Sequence, residues 1–237
     1  MYTGPTGTIE GRVRVEGPRA PQMQGKGYSR CPEAEAMYGS LFREGAVGEG
    51  RGLADVVVAV TGYKGFVPEL REARRIVFER CSFGSRTVTM TFGQRLEVVN
   101  RSRLMVGPSL LQAPSPALLI APPEEHGDPV KLYPPHPGYF TLADRMGSDF
   151  LWVDVYALLH PLHTVSDEAG RFRISGVPVG RVQVHGRLAA LETEATEEVN
   201  VTEGAMSEVA LTLVYRPLDA GLFDAGQARR DGPRPIP

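Results

Sequence analysis

Several features that mark common classes of protein are scarce in this chain. Its 237 residues carry a formal net charge of −2, which gives no electrostatic reason to expect a nucleic acid as partner. No stretch approaches the roughly 20 apolar residues that cross a bilayer, so we predict no transmembrane segment. Neither of the two cysteines has a Cys or His at zinc-ligand spacing. These features argue against a nucleic-acid-binding protein, a membrane-spanning protein and a structural zinc site.

Signs of catalysis and of a secretory signal are also missing. Ser109, Ser115 and Ser148 have no G-x-S-x-G context, and no pair of carboxylates stands out. We therefore predict that the protein is not an enzyme and needs no cofactor. The first five residues lack the basic and apolar regions of a signal peptide. Either the protein is cytosolic, or its numbering begins after a signal peptide or lipid anchor was removed.

What the chain does contain is a pattern of short β-strands joined by turns. Residues 8–16 alternate strictly, with the apolar side chains on one face and the charged ones on the other, which predicts a half-buried strand. The β-branched run 55–60 predicts a strand that is covered on both faces. Strands at 87–92 and 95–100 are predicted to form a hairpin through Gly93 and Gln94. The other predicted elements are strands at 75–79, 139–142, 151–158, 171–174, 182–185 and 209–215 and a short helix within 32–43. The predicted class is all-β.

Three segments lack this periodicity. Residues 108–137 are rich in proline, with Leu and Ile scattered among them, and predict a long extended loop of the kind that often contacts a partner. The acidic run 192–198 predicts a solvated edge. The polar, proline-rich tail 217–237 is predicted to be disordered or to lie along a partner.

Two sets of motifs resemble known families. GTIEGRV at 7–13, LADVVV at 53–58, DEAGRF at 167–172 and GVPVG at 176–180 follow, in order, the motifs of a carboxypeptidase regulatory-like (transthyretin-like) domain. In that family a "GxV" strand and a "gVxV" strand precede "TDxxGxF", "LPxG" and a final alternating strand. The resemblance implies a small seven-stranded, Ig-like β-sandwich. Here about 100 residues separate the second motif from the third, where the family usually has only a few.

That insert resembles the cupredoxin-like proteins of the methylamine-utilisation type. RCSF at 80–83 and GQRLEVVN at 93–100 follow the family pattern "GCxYxPxVxxxxxGxxLxxxN", and HPLHTVSD at 160–167 matches "HPYFAVTD". Together the two resemblances imply a cupredoxin-like Greek-key sandwich inserted in, or fused to, a transthyretin-like sandwich. The expected domains are 6–63 plus 163–216 for the transthyretin-like sandwich, 64–162 for the cupredoxin-like insert and 217–237 for the tail.

The second resemblance also implies a disulfide between Cys31 and Cys81, where such proteins carry a matching pair. Closing that loop would stabilise the fold by about 4 kcal/mol in the loop-entropy model. A disulfide favours an oxidising compartment, which we expect to be the periplasm or the outer membrane or cell surface of a bacterium. The alternative is a cytosolic protein with two buried free thiols.

The positions of the copper ligands hold other residues. A type 1 copper site needs two imidazoles, a thiolate and a weak axial Met. In the copper-binding members the first His follows the strand-ending Asn, but here Asn100 is followed by 101–106, with Met105 and no His. Their Cys-x-x-His falls on a segment that runs from Arg145 to Ser148. The resemblance therefore implies that the copper ligands are lost, and we expect no metal.

The histidines leave one alternative open, a redox protein with an atypical metal site. Such a site would use Met105 with the loop histidines His126 and His136. His160 and His163 are expected at a strand end, with their side chains on opposite faces because i and i+3 differ in direction.

Aromatic residues supply the candidate contact surface. Tyr133, His136 and Tyr139 lie in or beside a proline-rich loop, and rigid aromatic side chains suit protein contacts. Trp152 is expected in the core of a sandwich and His185 on the surface.

From these features we expect an exported, non-catalytic binding or scaffold protein, an accessory subunit of an envelope or cell-surface assembly. Its expected contact elements are the loop 108–138 and the tail. Two alternatives belong to other classes. One is an electron-transfer or metal-binding cupredoxin with an atypical site, and the other is a carbohydrate-binding or adhesive surface module.

Overall fold

The computed structural model of the chain describes residues 2–23, 31–46, 50–114, 118–123, 128–148, 150–191 and 193–217. Within these ranges there are fifteen strands and one helix of seven residues, which confirms the predicted all-β class. In chain order the elements are β1 (Thr6–Glu16), α1 (Pro32–Tyr38), β2 (Val57–Thr61), β3 (Arg74–Glu79), β4 (Ser82–Phe83), β5 (Thr87–Thr91), β6 (Leu96–Asn100), β7 (Pro108–Leu110), β8 (Val130–Leu132), β9 (Gly138–Asp144), β10 (Trp152–Leu158), β11 (His163–Val165), β12 (Arg171–Pro178), β13 (Gly180–Arg187), β14 (Glu194–Val201) and β15 (Met206–Val214).

The chain divides into two compact units. The first unit comprises the described residues of Met1–Ala20, Phe42–Glu69 and His160–Pro237, and the second unit comprises those of Pro21–Leu41 and Leu70–Leu159. Both units are therefore built from segments that are far apart in the chain. No helix in the described ranges is long and apolar enough to cross a membrane.

The first unit contains a three-stranded sheet in the order β12-β1-β15 and a four-stranded sheet in the order β11-β2-β13-β14. The predicted alternation of β1 is confirmed, because Ile9, Val13 and Val15 are buried while Arg14 is exposed. The apolar faces of the two sheets meet in the interior. A side chain at Gly186 of β13 would lie 2.9 Å from Leu211 of β15.

Residues 194–198 of the acidic run belong to β14, a strand that the sequence patterns did not predict. β14 pairs antiparallel with β13 at the edge of the four-stranded sheet. Glu194, Glu197 and Glu198 are exposed, while Val199 and Val201 are buried. The apolar positions are confined to the end of the strand, so alternation is weak where the acidic residues lie. Glu192 and the tail beyond residue 217 lie outside the described residues.

The second unit contains two four-stranded sheets, in the orders β4-β3-β6-β8 and β5-β10-β9-β7. Its core is built around the buried phenylalanines Phe78, Phe83 and Phe140 together with aliphatic side chains from both sheets. Burying a side chain of this size stabilises a fold by roughly 1.5–3 kcal/mol. Trp152 is also buried here, and it lies 5.6 Å from the ring of Tyr38 and 4.6 Å from the guanidinium carbon of Arg86. The expectation that Trp152 is a core residue is confirmed.

The predicted hairpin between 87–92 and 95–100 is wrong. β5 pairs parallel with β10, whereas β6 pairs parallel with β3 and antiparallel with β8, so the two strands lie in different sheets. The side chain of Gln94 holds the segment that connects β5 to β6. It accepts a hydrogen bond from the Thr91 N–H at 2.6 Å and donates one to the Glu72 carbonyl at 2.6 Å. Both β5 and β6 are almost wholly buried, and they reach this burial as members of two different sheets.

The segment 108–137 is not one extended loop. It contains β7 and β8, and Val106 forms an isolated bridge with Ala121. Pro108 begins β7, which is an edge strand, a position that tolerates the missing proline N–H. Short strands such as these give too few alternating residues to be recognised by periodicity.

The disulfide implied by the family resemblance is present. Cys31 and Cys81 are bonded, with their Cα atoms 5.9 Å apart, a usual separation for a disulfide. Cys31 immediately precedes α1, whose Tyr38 hydroxyl accepts a hydrogen bond from the Phe83 N–H at 3.3 Å. These contacts explain why the described residues of 21–41 belong to the second unit, whereas the expected domain boundary placed them with 6–63.

Candidate functional site

The side chain of Asn100, the last residue of β6, organises one group of loops in the second unit. Its Nδ2 donates to the carbonyls of Leu104 at 2.6 Å and Ala121 at 3.0 Å. Its Oδ1 accepts from the N–H and the hydroxyl of Ser102, both at 2.9 Å. Asn100 is buried, so these four hydrogen bonds hold residues 101–105 against residue 121.

Asp144, the last residue of β9, organises the neighbouring loop in the same way. Its Oδ1 accepts from the N–H groups of Gly107 at 2.7 Å and Met146 at 3.0 Å, and its Oδ2 accepts from the Ser148 N–H at 3.3 Å. The Arg145 N–H donates to the Gly107 carbonyl at 2.8 Å. The turn 144–148 is thereby attached to the strand ladder beside residues 104–107.

The structure therefore brings together the loops that carry Met105, Arg145 and Ser148, the three positions that the resemblance aligned with copper ligands. Met105 and Arg145 are exposed and Ser148 is half-buried. In the described part of the chain, no three His, Cys, Asp or Glu side chains are grouped as metal ligands would be. These positions present a thioether, a guanidinium and a hydroxyl.

The same loops carry a cluster of exposed aliphatic side chains, which we call the loop-end patch. Its members are 39–56% exposed and are Leu104, Met105, Leu118, Leu119, Ile120 and Met146. A side chain at Gly107 would lie 2.9 Å from Met146 Cγ and 3.1 Å from Leu118 Cδ1, so these two side chains close over the glycine. Met105 and Ile120 flank the bridge between Val106 and Ala121 and, by alternation, point away from these buried neighbours.

Contiguous apolar patches of more than a few hundred Å² are rare on the surfaces of monomeric proteins and often mark a contact site. The loop-end patch consists of side chains from three separate loops, and Asn100 and Asp144 hydrogen-bond to the backbone of these loops at Leu104, Ala121 and Met146. The exposed residues Arg101, Arg103 and Arg145 lie in the same loops. The patch was not predicted from the sequence as a unit, and the scattered Leu and Ile of 108–137 are the one sequence feature that indicates it.

The aromatic candidates occupy different environments. Tyr133 is 62% exposed beyond the end of β8, and His136 is exposed, with its ring 5.1 Å from that of Phe140. Tyr139 is only half-buried, but its hydroxyl donates to buried Asp154 at 2.6 Å and accepts from the Thr141 hydroxyl at 3.1 Å. The Tyr139 hydroxyl is thus hydrogen-bonded within its own sheet. Of the three aromatic candidates, only Tyr133 and His136 are exposed.

The prediction that His160 and His163 point to opposite faces is wrong. Their ring centroids lie 6.4 Å apart, and His160 also packs edge-on against Tyr63 at 6.3 Å. β11 begins only at His163, so residues 160–162 form a turn in which strand alternation does not apply. Within the described ranges, neither buried ring nitrogen of His160 has a hydrogen-bond partner. Burial, with a smaller contribution from the charge of His185, holds the pKa of His160 below its usual value.

His185 is half-buried, whereas its place on an alternating strand had predicted a surface position. Its Nε2 lies 2.7 Å from the Thr61 hydroxyl and its Nδ1 lies 3.0 Å from the Thr196 hydroxyl. Burial lowers the pKa of His185, and the neighbouring carboxylate of Glu194 partly opposes that effect. The remaining loop histidine, His126, lies outside the described residues.

No protein-family model, no curated protein and no solved structure matches this chain.

Proposed function

We propose that this chain is a non-catalytic binding protein that contacts a protein partner through the loop-end patch, as an accessory subunit or scaffold of an envelope or cell-surface assembly. The observation that supports the proposal is the cluster of six exposed aliphatic side chains on loops that are fastened internally. Burying such side chains against a partner contributes roughly 25 cal/mol per Å² of apolar surface removed from water.

The way the patch is held favours binding. Ordering a mobile loop at an interface costs conformational entropy that subtracts from affinity. Here the described residues of these loops are already joined by the hydrogen bonds of Asn100 and Asp144, so less of that cost arises on binding. The proposed contact surface overlaps the predicted partner-facing loop 108–138 in residues 118–120.

The finer description of the fold belongs to the same proposal. We infer a transthyretin-like sandwich interrupted by a cupredoxin-like sandwich, and two findings support it. The two compact units interleave along the chain, and the disulfide joins the two cysteines that the cupredoxin-like resemblance pairs. In such a sandwich the loop-end patch would occupy the region where relatives bind copper, with Met105, Arg145 and Ser148 in place of ligands. Export to an oxidising compartment is consistent with the disulfide.

The test is a comparison of two methionines with nearly equal exposure. Met105 in the patch is 56% exposed and Met206 in the first unit is 57% exposed. The full-length protein is used to isolate partners from its native source, with Met105→Glu, Ile120→Glu and the control Met206→Glu in parallel. We expect one reproducible partner that is retained by the wild type and by Met206→Glu, and lost from both patch variants. Retention by all three variants would exclude the patch as the contact surface.

A further inference from the structure

A groove of about 780 Å³ crosses the outer face of the sheet β12-β1-β15 in the first unit. Two rows of paired residues form its floor, each running from β12 through β1 to β15. One row is Arg173, Glu10 and Glu208, and the other is Arg171, Arg12 and Ala210. The turn that contains Asp167 closes one end.

Two ion pairs account for part of the charge. Arg173 pairs with Glu10 through its Nη1. Arg171 pairs with Asp167, with Nε 2.9 Å from Oδ2. The Asp167 carboxylate also accepts the N–H groups of Ala169 at 2.9 Å and Arg171 at 2.8 Å, so most of its hydrogen-bonding capacity is used within the turn.

Arg12 is different, because it has no carboxylate partner among the described residues. Its Nε donates to the Ala169 carbonyl at 2.9 Å, which fixes the orientation of the half-buried guanidinium. Its two Nη groups make no hydrogen bond within the described ranges. Arg12 also lies directly opposite Arg171 in the antiparallel register, an arrangement of like charges that destabilises a sheet.

We propose that Arg12 and Arg171 form a binding site for an oxyanion, a carboxylate or a phosphate group. Guanidinium groups bind such anions through paired N–H donors, and an anion between the two arginines would offset their repulsion. The small side chain of Ala210 leaves room beside Arg12. The other row of the floor carries Glu10 and Glu208, which disfavours a long polyanion and favours a ligand with one oxyanion at the arginine end.

The test uses acetate and inorganic phosphate as probes, titrated at constant ionic strength into the full-length protein. The Nε–H resonances of the arginines are followed by NMR. We expect saturable shifts for Arg12 and Arg171 in the wild type. The affinity should be reduced by about tenfold or more in Arg12→Gln and in Arg171→Gln, because each substitution removes charge-assisted hydrogen bonds. Arg12→Lys keeps the charge but loses the planar donors, so it should bind with intermediate affinity. Preference for one probe would identify the ligand as a carboxylate or a phosphate.

The matched control is Arg181→Gln. Arg181 is 77% exposed on the other sheet and is paired with Glu198. This variant should bind both probes as the wild type does. Linear, unsaturated shifts, or equal affinity in the wild type and in both groove variants, would overturn the proposal. The groove and the loop-end patch are independent, so either result leaves the proposed partner-binding function untouched.

Discussion

The two β units differ in what holds their segments together. In the first unit five strands run for 8 to 11 residues, so long backbone ladders join its segments, together with side-chain hydrogen bonds such as those of Ser166 to Leu53 and Val56. In the described residues of the second unit no strand exceeds 7 residues, and several have only 2 or 3. There a disulfide and the side chains of Gln94, Asn100 and Asp144 make connections that the ladders do not. The second unit should therefore be more sensitive to single side-chain changes at its loops.

The largest effect that would test this difference is loss of the disulfide. Replacing both Cys31 and Cys81 with Ser should destabilise the second unit by about 4 kcal/mol, because the unfolded chain regains the entropy of the closed loop. The only tryptophan, Trp152, lies in this unit, so its fluorescence during urea unfolding reports on it alone. Hydrogen exchange should show little change in the first unit. Equal loss of protection in both units would remove the proposed difference.

A smaller effect is expected from Asn100→Ala. The substitution removes four hydrogen bonds and leaves the buried Ala121 carbonyl without one of its donors, which should cost about 2–3 kcal/mol. The control is Asn200→Ala on the exposed edge of β14, which should change stability by less than about 0.5 kcal/mol. Faster hydrogen exchange at 101–107 should accompany the first change. If the two substitutions proved equally mild, Asn100 would not organise these loops.

The stability of the first unit should depend more strongly on pH, in the range where histidines titrate, than the stability of the second unit. His160 and His185 both have pKa values below the ordinary 6.5, chiefly because burial disfavours their charged forms. The unfolded state then binds more protons, so stability is fully present above about pH 6.5 and falls as the pH drops through the lowered folded values. His160→Asn should flatten this dependence, as measured by hydrogen exchange of the first unit across pH. His136→Asn, an exposed position in the second unit, should leave it unchanged, and a flattening there would contradict the assignment.

The smallest expected effect is a null result on adding copper. An intense blue band arises from a thiolate bound to copper, and both cysteines are held in the disulfide. The oxidised protein should therefore show no such band when Cu²⁺ is titrated and followed by visible absorption. Tight stoichiometric binding, or a band that depends on Met105, would instead favour the atypical metal site.

The predictions from sequence succeeded where burial differs between alternate residues. β1 was recognised because Ile9, Val13 and Val15 alternate with charged residues, and the buried run at β2 was recognised by its β-branched composition. The predictions were wrong where the pairing of a strand depends on residues that are distant in the chain. Gly93 and Gln94 looked like a hairpin turn, yet the flanking strands pair with β10 and β3, which no local pattern encodes.

The candidate sites divide in the same way. Met105, Arg145 and Ser148 could be chosen from the sequence because motif spacing aligned them with the ligands of copper proteins. The structure places their loops side by side through the hydrogen bonds of Asp144. The loop-end patch could not be predicted, because its members come from three segments whose proximity depends on the Asn100 and Asp144 hydrogen bonds. The oxyanion groove depends on register, since only strand pairing sets Arg12 opposite Arg171.

The sequence by itself determined the all-β class and the alternating faces of the longer strands, and its resemblance to a known family predicted the pairing of the cysteines. These properties follow from the period of two in a strand and from local composition. Only the tertiary structure decided which strands share a sheet, that the described residues of 21–41 belong to the second unit, and which exposed side chains form a surface. Those outcomes depend on contacts between residues far apart in the chain, and their free energies arise only when the whole unit packs.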